Sequence, residues 1–111
     1  MMDNGNGRTL RRLGTTGIRI TPIGLGAWQF SEGKGGARGS WAPLTPEETD
    51  AIVEASLRGG INWFDTAELY GWGRSERALS RSILRAGKTP GDVVIATKWS
   101  PLLRTARSIV G

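Results

Sequence analysis

The stretch from Thr45 to Lys98 constrains the fold more than any other part of this 111-residue chain, because helix signals and apolar strand signals alternate along it. Thr45-Pro46-Glu47-Glu48 places Thr at an N-cap, Pro at the first helical position and Glu at the third. That pattern is a capping box, which satisfies backbone donors otherwise left open at a helix start. The predicted helix carries Ala51, Ile52 and Ala55 on one stripe and ends at Gly59-Gly60, where positive φ meets no Cβ. Ile61 to Thr66 then reads as a strand, apolar except for Asn62 and the terminal Asp65. Ser75-Glu76 opens a second helix with Leu79 and Ile83 four apart, closed by Gly87 with Pro90 just beyond. Asp92 to Thr97 reads as another unbroken apolar strand.

Upstream, Thr9 to Leu13 and Ile18 to Thr21 flank Gly14-Thr15-Thr16-Gly17, the pattern of a β-hairpin that covers something larger. Pro22 to Trp28 is a further predicted strand whose paired glycines, Gly24 and Gly26, allow close backbone approach. The order is hairpin, strand, helix, strand, helix, strand, with helices between continuous apolar strands, which is the grammar of a parallel α/β sheet. Two architectures fit it, a (β/α)8 TIM barrel and an open doubly wound sheet. A barrel takes about 250 residues, so on that reading the chain supplies the N-terminal hairpin and the first three strands, truncated. Thr105 to Val110 reads as the start of another helix, too short to be stable alone. The expected organisation is a flexible, Gly-rich tail over residues 1–8 and one partial domain over 9–111, interrupted by a surface loop from Ser31 to Trp41.

Composition narrows the chemistry. Cysteine and histidine are both absent, which removes disulfides, thiolates and imidazoles, so a zinc or iron site is excluded as an expectation and no metal is predicted. Five Trp offer a large burial payload if their rings are inside. No run approaches the roughly 20 apolar residues that cross a bilayer, and the first residues lack the apolar core of a signal peptide. The expectation is a cytoplasmic protein with no membrane partner. Fifteen Lys plus Arg against ten Asp plus Glu give a formal charge of +5, but the basic residues are dispersed, and no nucleic-acid role is expected.

Asp65 ends one predicted strand, Lys98 follows the next, and Tyr70 lies in the loop after Asp65, so a carboxylate, an ammonium and a phenol meet at the carboxyl edge where parallel α/β proteins place ligands. Position alone favours an ordinary reading: a strand-end ion pair beside a packed loop aromatic. Trp72 and Trp99 flank the trio as pocket walls or as packing residues, and Arg74 beside Glu76 reads as a solvated helix start. Gly87-Lys88-Thr89 has the end of a phosphate-binding loop but lacks its leading Gly and follows a helix instead of a strand. Gly24-Leu25-Gly26 lacks the third Gly of the dinucleotide fingerprint, because position 29 is Gln.

Taken together, the hairpin, Gly24-Leu25-Gly26-Ala27-Trp28, Gly60-Ile61-Asn62-Trp63-Phe64-Asp65-Thr66-Ala67 with Tyr70-Gly71, and Thr97-Lys98 resemble the N-terminal part of the aldo-keto reductases. The resemblance covers nearly everything after about residue 9, and Gly71 to Glu76 is similar to the bacterial and plant branches and the potassium-channel β subunits. It implies a (β/α)8 barrel in which a hydride passes between NADPH/NADP+ and a small-molecule carbonyl or alcohol. Tyr70 would be the general acid. A free phenol titrates near about 10; an ammonium at Lys98 would favour phenolate, and the Asp65 carboxylate would keep Lys98 charged and oriented. Gly26, Ala27 and Trp28, with Asp65, would line the nicotinamide side, a purely structural strand end being an equal alternative for each of the first three. The family's catalytic His lies on the strand after Lys98 and has no counterpart in this chain. The expectation is therefore an inactive fragment of a reductase, with a non-catalytic cofactor-binding regulatory subunit as the alternative. Substrate identity and oligomeric state stay open.

Overall fold

A computed structural model describes residues 9–31, 42–89 and 91–100. The tail over residues 1–8, the loop from 32 to 41, Pro90 and the predicted helix start at Thr105 to Val110 lie outside the described residues. The hairpin forms as predicted but with short strands: β1 (Arg11–Arg12) pairs antiparallel with β2 (Arg19–Ile20). Its turn closes through Leu13 N–H donating to Ile18 O at 2.9 Å, while the Thr16 hydroxyl donates to Leu13 O at 2.6 Å.

The remaining strands make one parallel sheet in the order β3 (Leu25–Gly26), β4 (Trp63–Asp65), β5 (Val94–Ala96). Each is shorter than its predicted run. Trp28 leaves the predicted strand altogether and starts a 3-10 turn over Trp28–Phe30. That turn drives Phe30 inward, where it is buried with Ala27, Val53, Phe64, Leu79 and Ile83.

The helices follow their signals closely. The first, α1 (Pro46–Arg58), has the predicted capping box complete: Thr45 accepts from Glu48 N–H, and the Glu48 carboxylate accepts from Thr45 N–H at 2.9 Å. Its buried stripe is shifted, however. Thr49 and Val53 face the core, Ile52 packs at the margin, and Ala51 and Ala55 are exposed. An i, i+4 pair looks onto α2 here, and α2 decides the face. In α2 (Arg74–Arg85), Leu79 and Ile83 are buried as the spacing predicts. The helices are tied across their polar flank by Asp50, which accepts from Ser82 at 2.6 Å and from Arg81 at 3.1 Å, with Arg85 at 3.5 Å. The Ser82 hydrogen bond, then the Arg81 and Arg85 charges, outweigh desolvation and hold the Asp50 carboxyl below its usual range.

Two side chains lock the hairpin end to the sheet through three hydrogen bonds. Asn62 accepts from Thr21 N–H at 2.9 Å and donates to Arg19 O at 3.0 Å, and the Trp63 indole donates to Thr21 O at 2.8 Å. Gly24 makes room for that indole: a Cβ there would stand 2.3 Å from the ring.

Most of the described tryptophans do not supply the burial their number would allow. Trp28, Trp72 and Trp99 are 44%, 60% and 63% exposed, because all three sit beyond the strand ends, where the chain turns over the carboxyl edge instead of running through the layers. An apolar groove of about 270 Å³ lies between α2 and β5, walled by Ile83, Leu84, Val93 and Ile95. It shares no residue with the polar trio. Among the described residues no helix is long and apolar enough to cross a membrane.

Candidate active site

The parallel register sets the site. Gly26, Asp65 and Ala96 lie side by side at the carboxyl ends of the three strands. Side chains alternate along a strand, so Lys98, two residues past Ala96, keeps to the face of Asp65. The ladder runs on beyond the strands to hold it there: Thr66 N–H donates to Ala96 O at 2.8 Å and Glu68 N–H to Lys98 O at 2.9 Å.

Lys98 Nζ donates to Asp65 Oδ1 at 3.0 Å and to the Thr66 carbonyl at 2.7 Å, and it stands 5.3 Å from the centre of the Tyr70 ring. The structure thus brings the three predicted residues together on one ammonium. Burial pulls the Lys98 pKa down, but the hydrogen bond and charge of Asp65, followed by smaller contributions from Tyr70, win and hold it above the ordinary lysine value. With side chains 54% and 43% exposed, the ion pair adds little to stability, since exposed pairs contribute about 0–1 kcal/mol. Its consequence is orientation and a permanent positive charge beside the phenol.

Tyr70 closes a turn, its N–H donating to Ala67 O at 3.1 Å, and a tight reversal follows it. Gly71, Trp72 and Gly73 have φ of 69°, 57° and 94° in succession, a left-handed run that ordinary residues avoid. Gly71 is doubly required, because a Cβ would also lie 2.7 Å from Ser31 O. Gly73 is then the residue before α2, which begins at Arg74, one residue earlier than the Ser75-Glu76 signal.

Of the residues expected on the cofactor side, Gly26 is exposed, and a Cβ built on it meets nothing within 4 Å. Trp28 lies with its ring 6.1 Å from that of Tyr70, tilted by 39°. Ala27 is fully buried, with its N–H donated to Asp65 O at 2.8 Å and its carbonyl accepting from Ser75 at 2.5 Å. Gly26 thus stands in register beside Asp65 with open space where a side chain would be.

Sequence reasoning missed the supports. Glu76, expected as a solvated helix start, accepts from the Thr97 hydroxyl at 2.5 Å, and Glu68 accepts from Ser100 N–H at 2.8 Å, so two carboxylates bracket the segment that carries Lys98. Thr66 and Ser75 form a buried hydroxyl pair at 2.8 Å. Neither a helix-opening Ser nor a strand-end Thr signals its partner 9 residues away. Gly87-Lys88-Thr89 is no phosphate cradle: the N–H and hydroxyl of Thr89 both donate to Asp92, at 2.7 and 2.8 Å.

A parallel βα sheet whose strand ends gather polar groups at the carboxyl edge is the arrangement of α/β proteins that bind ligands there, (β/α)8 barrels among them. The family model for the aldo/keto reductases matches residues 22–109, and the chain belongs to that family. It is 37% identical over 98 residues to pyridoxal 4-dehydrogenase of Microbacterium luteolum, covering 88% of this chain and 26% of that protein. A thermostable aldo-keto reductase solved with the inhibitor epalrestat superposes with a TM-score of 0.64 at 25% identity, over 92% of this chain and 37% of the other. The holo form of an aldo-keto reductase from Bacillus halodurans superposes with a TM-score of 0.63 at 23% identity, over 81% and 25%. The three parallel strands are therefore an arc of the barrel, with the hairpin a separate two-stranded sheet beside it, and the chain spans about a quarter of the length of the curated relative it matches.

Proposed function

We propose that this chain carries the proton-handling part of a nicotinamide-dependent oxidoreductase that interconverts a small carbonyl compound and its alcohol. One observation supports this above the others: Lys98 Nζ is shared between Asp65 at 3.0 Å and the Tyr70 ring at 5.3 Å, at the edge of an open shelf. In this reading Tyr70 gives its proton to the carbonyl oxygen, Lys98 supplies positive charge as that oxygen becomes negative, and Asp65 orients Lys98. A bound nicotinamide supplies the hydride. Gly26 would leave its ring room, Trp28 would wall it, and Asp65 would stand beside it, while buried Ala27 would act only through its backbone. The family resemblance favours NADPH/NADP+ over NADH.

The 111 residues alone are expected to turn over poorly, since an arc of three parallel strands leaves an open site and exposed strand edges. The test grafts residues 9–100 in place of the matching quarter of the Microbacterium relative and follows NADPH oxidation with a panel of aldehydes. The graft is expected to be active, and Tyr70→Phe should reduce turnover by about 10²–10⁴-fold, the usual contribution of a positioned acid. Turnover that survives Tyr70→Phe unchanged would overturn the assignment.

A further inference from the structure

The Thr66–Ser75 pair is among the most deeply buried polar features of the described residues, and the proposed chemistry does not use it. Thr66 is 1% exposed and Ser75 is 0% exposed. A hydroxyl has one hydrogen to give, and that of Ser75 goes to the Ala27 carbonyl at 2.5 Å. In the 2.8 Å contact between the two hydroxyls, Thr66 must then be the donor and Ser75 the acceptor. The result is a directed chain from Thr66 O–H to Ser75 O–H to Ala27 C=O, which joins the end of β4, the first turn of α2 and the end of β3.

Both ends of that chain touch the site. The Thr66 carbonyl accepts from Lys98 Nζ at 2.7 Å, a shorter contact than the one Lys98 makes with Asp65. Ala27 immediately precedes Trp28, whose ring lies against Tyr70. Apolar side chains at 66 and 75 would fill the same layer, so the choice of two hydroxyls calls for a reason other than packing volume. A satisfied buried network of this kind has one low-energy arrangement, because breaking either link strands a polar group away from water.

We infer that Thr66 and Ser75 are positioning residues: their hydroxyl chain fixes the Thr66 carbonyl under Lys98 and holds Ala27 so that Trp28 faces Tyr70. The inference rests on the reading of Asp65, Tyr70 and Lys98 as the site. Its test reads Lys98 directly, so it can fail while the Tyr70→Phe result stands, or hold while that result fails.

The experiment is trace acetylation of the 111-residue chain at mildly alkaline pH, with the rate at Lys98 divided by the rate at exposed Lys88 in each variant. Only the neutral amine reacts, so a Lys98 that loses its fixed carbonyl reacts faster. Ser75→Ala should raise the ratio by about two- to fivefold, the range set by the free energy of a half-exposed ionic contact. Thr66→Val, which keeps the shape and removes the donor, should raise it in the same direction, and Thr66→Ser, which keeps the hydroxyl, should restore it. Ser80→Ala, on the exposed face of α2, should leave it alone. An unchanged ratio in Thr66→Val would overturn the inference, whether or not Ser75→Ala folds. So would an equal rise at Lys88 and Lys98, the mark of general loosening.

Discussion

Gly24 and Gly26 stand two residues apart on the same short segment, and alanine at each should have opposite outcomes. At Gly24 a new Cβ would lie 2.3, 2.5 and 2.6 Å from three carbons of the Trp63 indole. Ordinary contact for a Cβ is 3.4–4 Å, so the ring has to retreat by about 1 Å or more. It cannot do so freely, because its N–H is donated to Thr21 O at 2.8 Å and its backbone lies in register with Val94 on β5. Overpacking of this kind costs about 1–3 kcal/mol, and loss of the indole hydrogen bond about 0.5–1.5 kcal/mol. Together Gly24→Ala should destabilise the chain by about 2–4 kcal/mol. At Gly26 the same Cβ meets nothing within 4 Å and the backbone is not left-handed. Gly26→Ala should therefore be neutral or stabilising by about 0.4–1 kcal/mol, through the unfolded state. Urea unfolding followed by tryptophan fluorescence measures both; with m near about 1 kcal/mol/M for a chain of this size, the two midpoints should differ by about 2 M or more. Equal midpoints would refute the close approach of Gly24 to Trp63. Gly26→Ala has a second, functional arm. It fills the shelf proposed for the nicotinamide, so in the barrel graft it should weaken NADPH binding without loss of stability.

The other predictions concern charge and capping. Asp65→Asn removes the interaction that offsets burial at Lys98, so the Lys98 pKa should fall, read from the side-chain carbon shifts of isotopically labelled lysine. Because the folded Lys98 pKa lies above its unfolded value, its contribution to stability is present below about the ordinary 10.5 and fades as pH rises through the folded value; the stability difference between wild type and Asp65→Asn should narrow at that alkaline end. Asp50 has the opposite sign. Its folded pKa is depressed, so its contribution is present above the usual 3.8 and is lost as pH falls through the lower folded value, and the gap in urea midpoint between wild type and Asp50→Ala should close in acid. Thr45→Ala removes the cap of α1 and should cost about 1 kcal/mol in the same assay; no loss would mean that the capping box adds nothing to this helix.

Much of the architecture is legible because it rests on local chemistry. The capping box at Thr45 and Glu48 needs only four neighbouring residues. The left-handed Gly60 and Gly87 after the two helices follow from what glycine alone adopts cheaply. The Leu79 and Ile83 spacing names the buried face of α2 because both lie on one helical stripe. Asp65, Lys98 and Tyr70 were legible as neighbours for a related reason: parallel strands present their carboxyl ends on one edge, so the ends of successive strands must meet there. The buried face of α1 was not legible, since Ala51, Ile52 and Ala55 make as good an apolar stripe as Thr49 and Val53 until α2 is set against one of them. The exposure of Trp28, Trp72 and Trp99 was hidden likewise, because hydrophobicity favours burial but does not say which turns pass over the edge of a sheet.

By itself, then, the amino-acid order determined the elements, their parallel arrangement, the family and the three polar groups at the strand ends. Only the tertiary structure decided that Trp28 starts a turn beside Tyr70, that three successive left-handed residues follow Tyr70 before α2, and that Glu68, Glu76, Thr66 and Ser75 hydrogen-bond around the strand ends. The physical reason is range. Propensity, capping and periodicity act within a few residues, whereas a hydrogen bond between Thr66 and Ser75, or a Cβ forbidden at Gly24 by a ring at Trp63, exists only once distant parts of the chain have been brought into register.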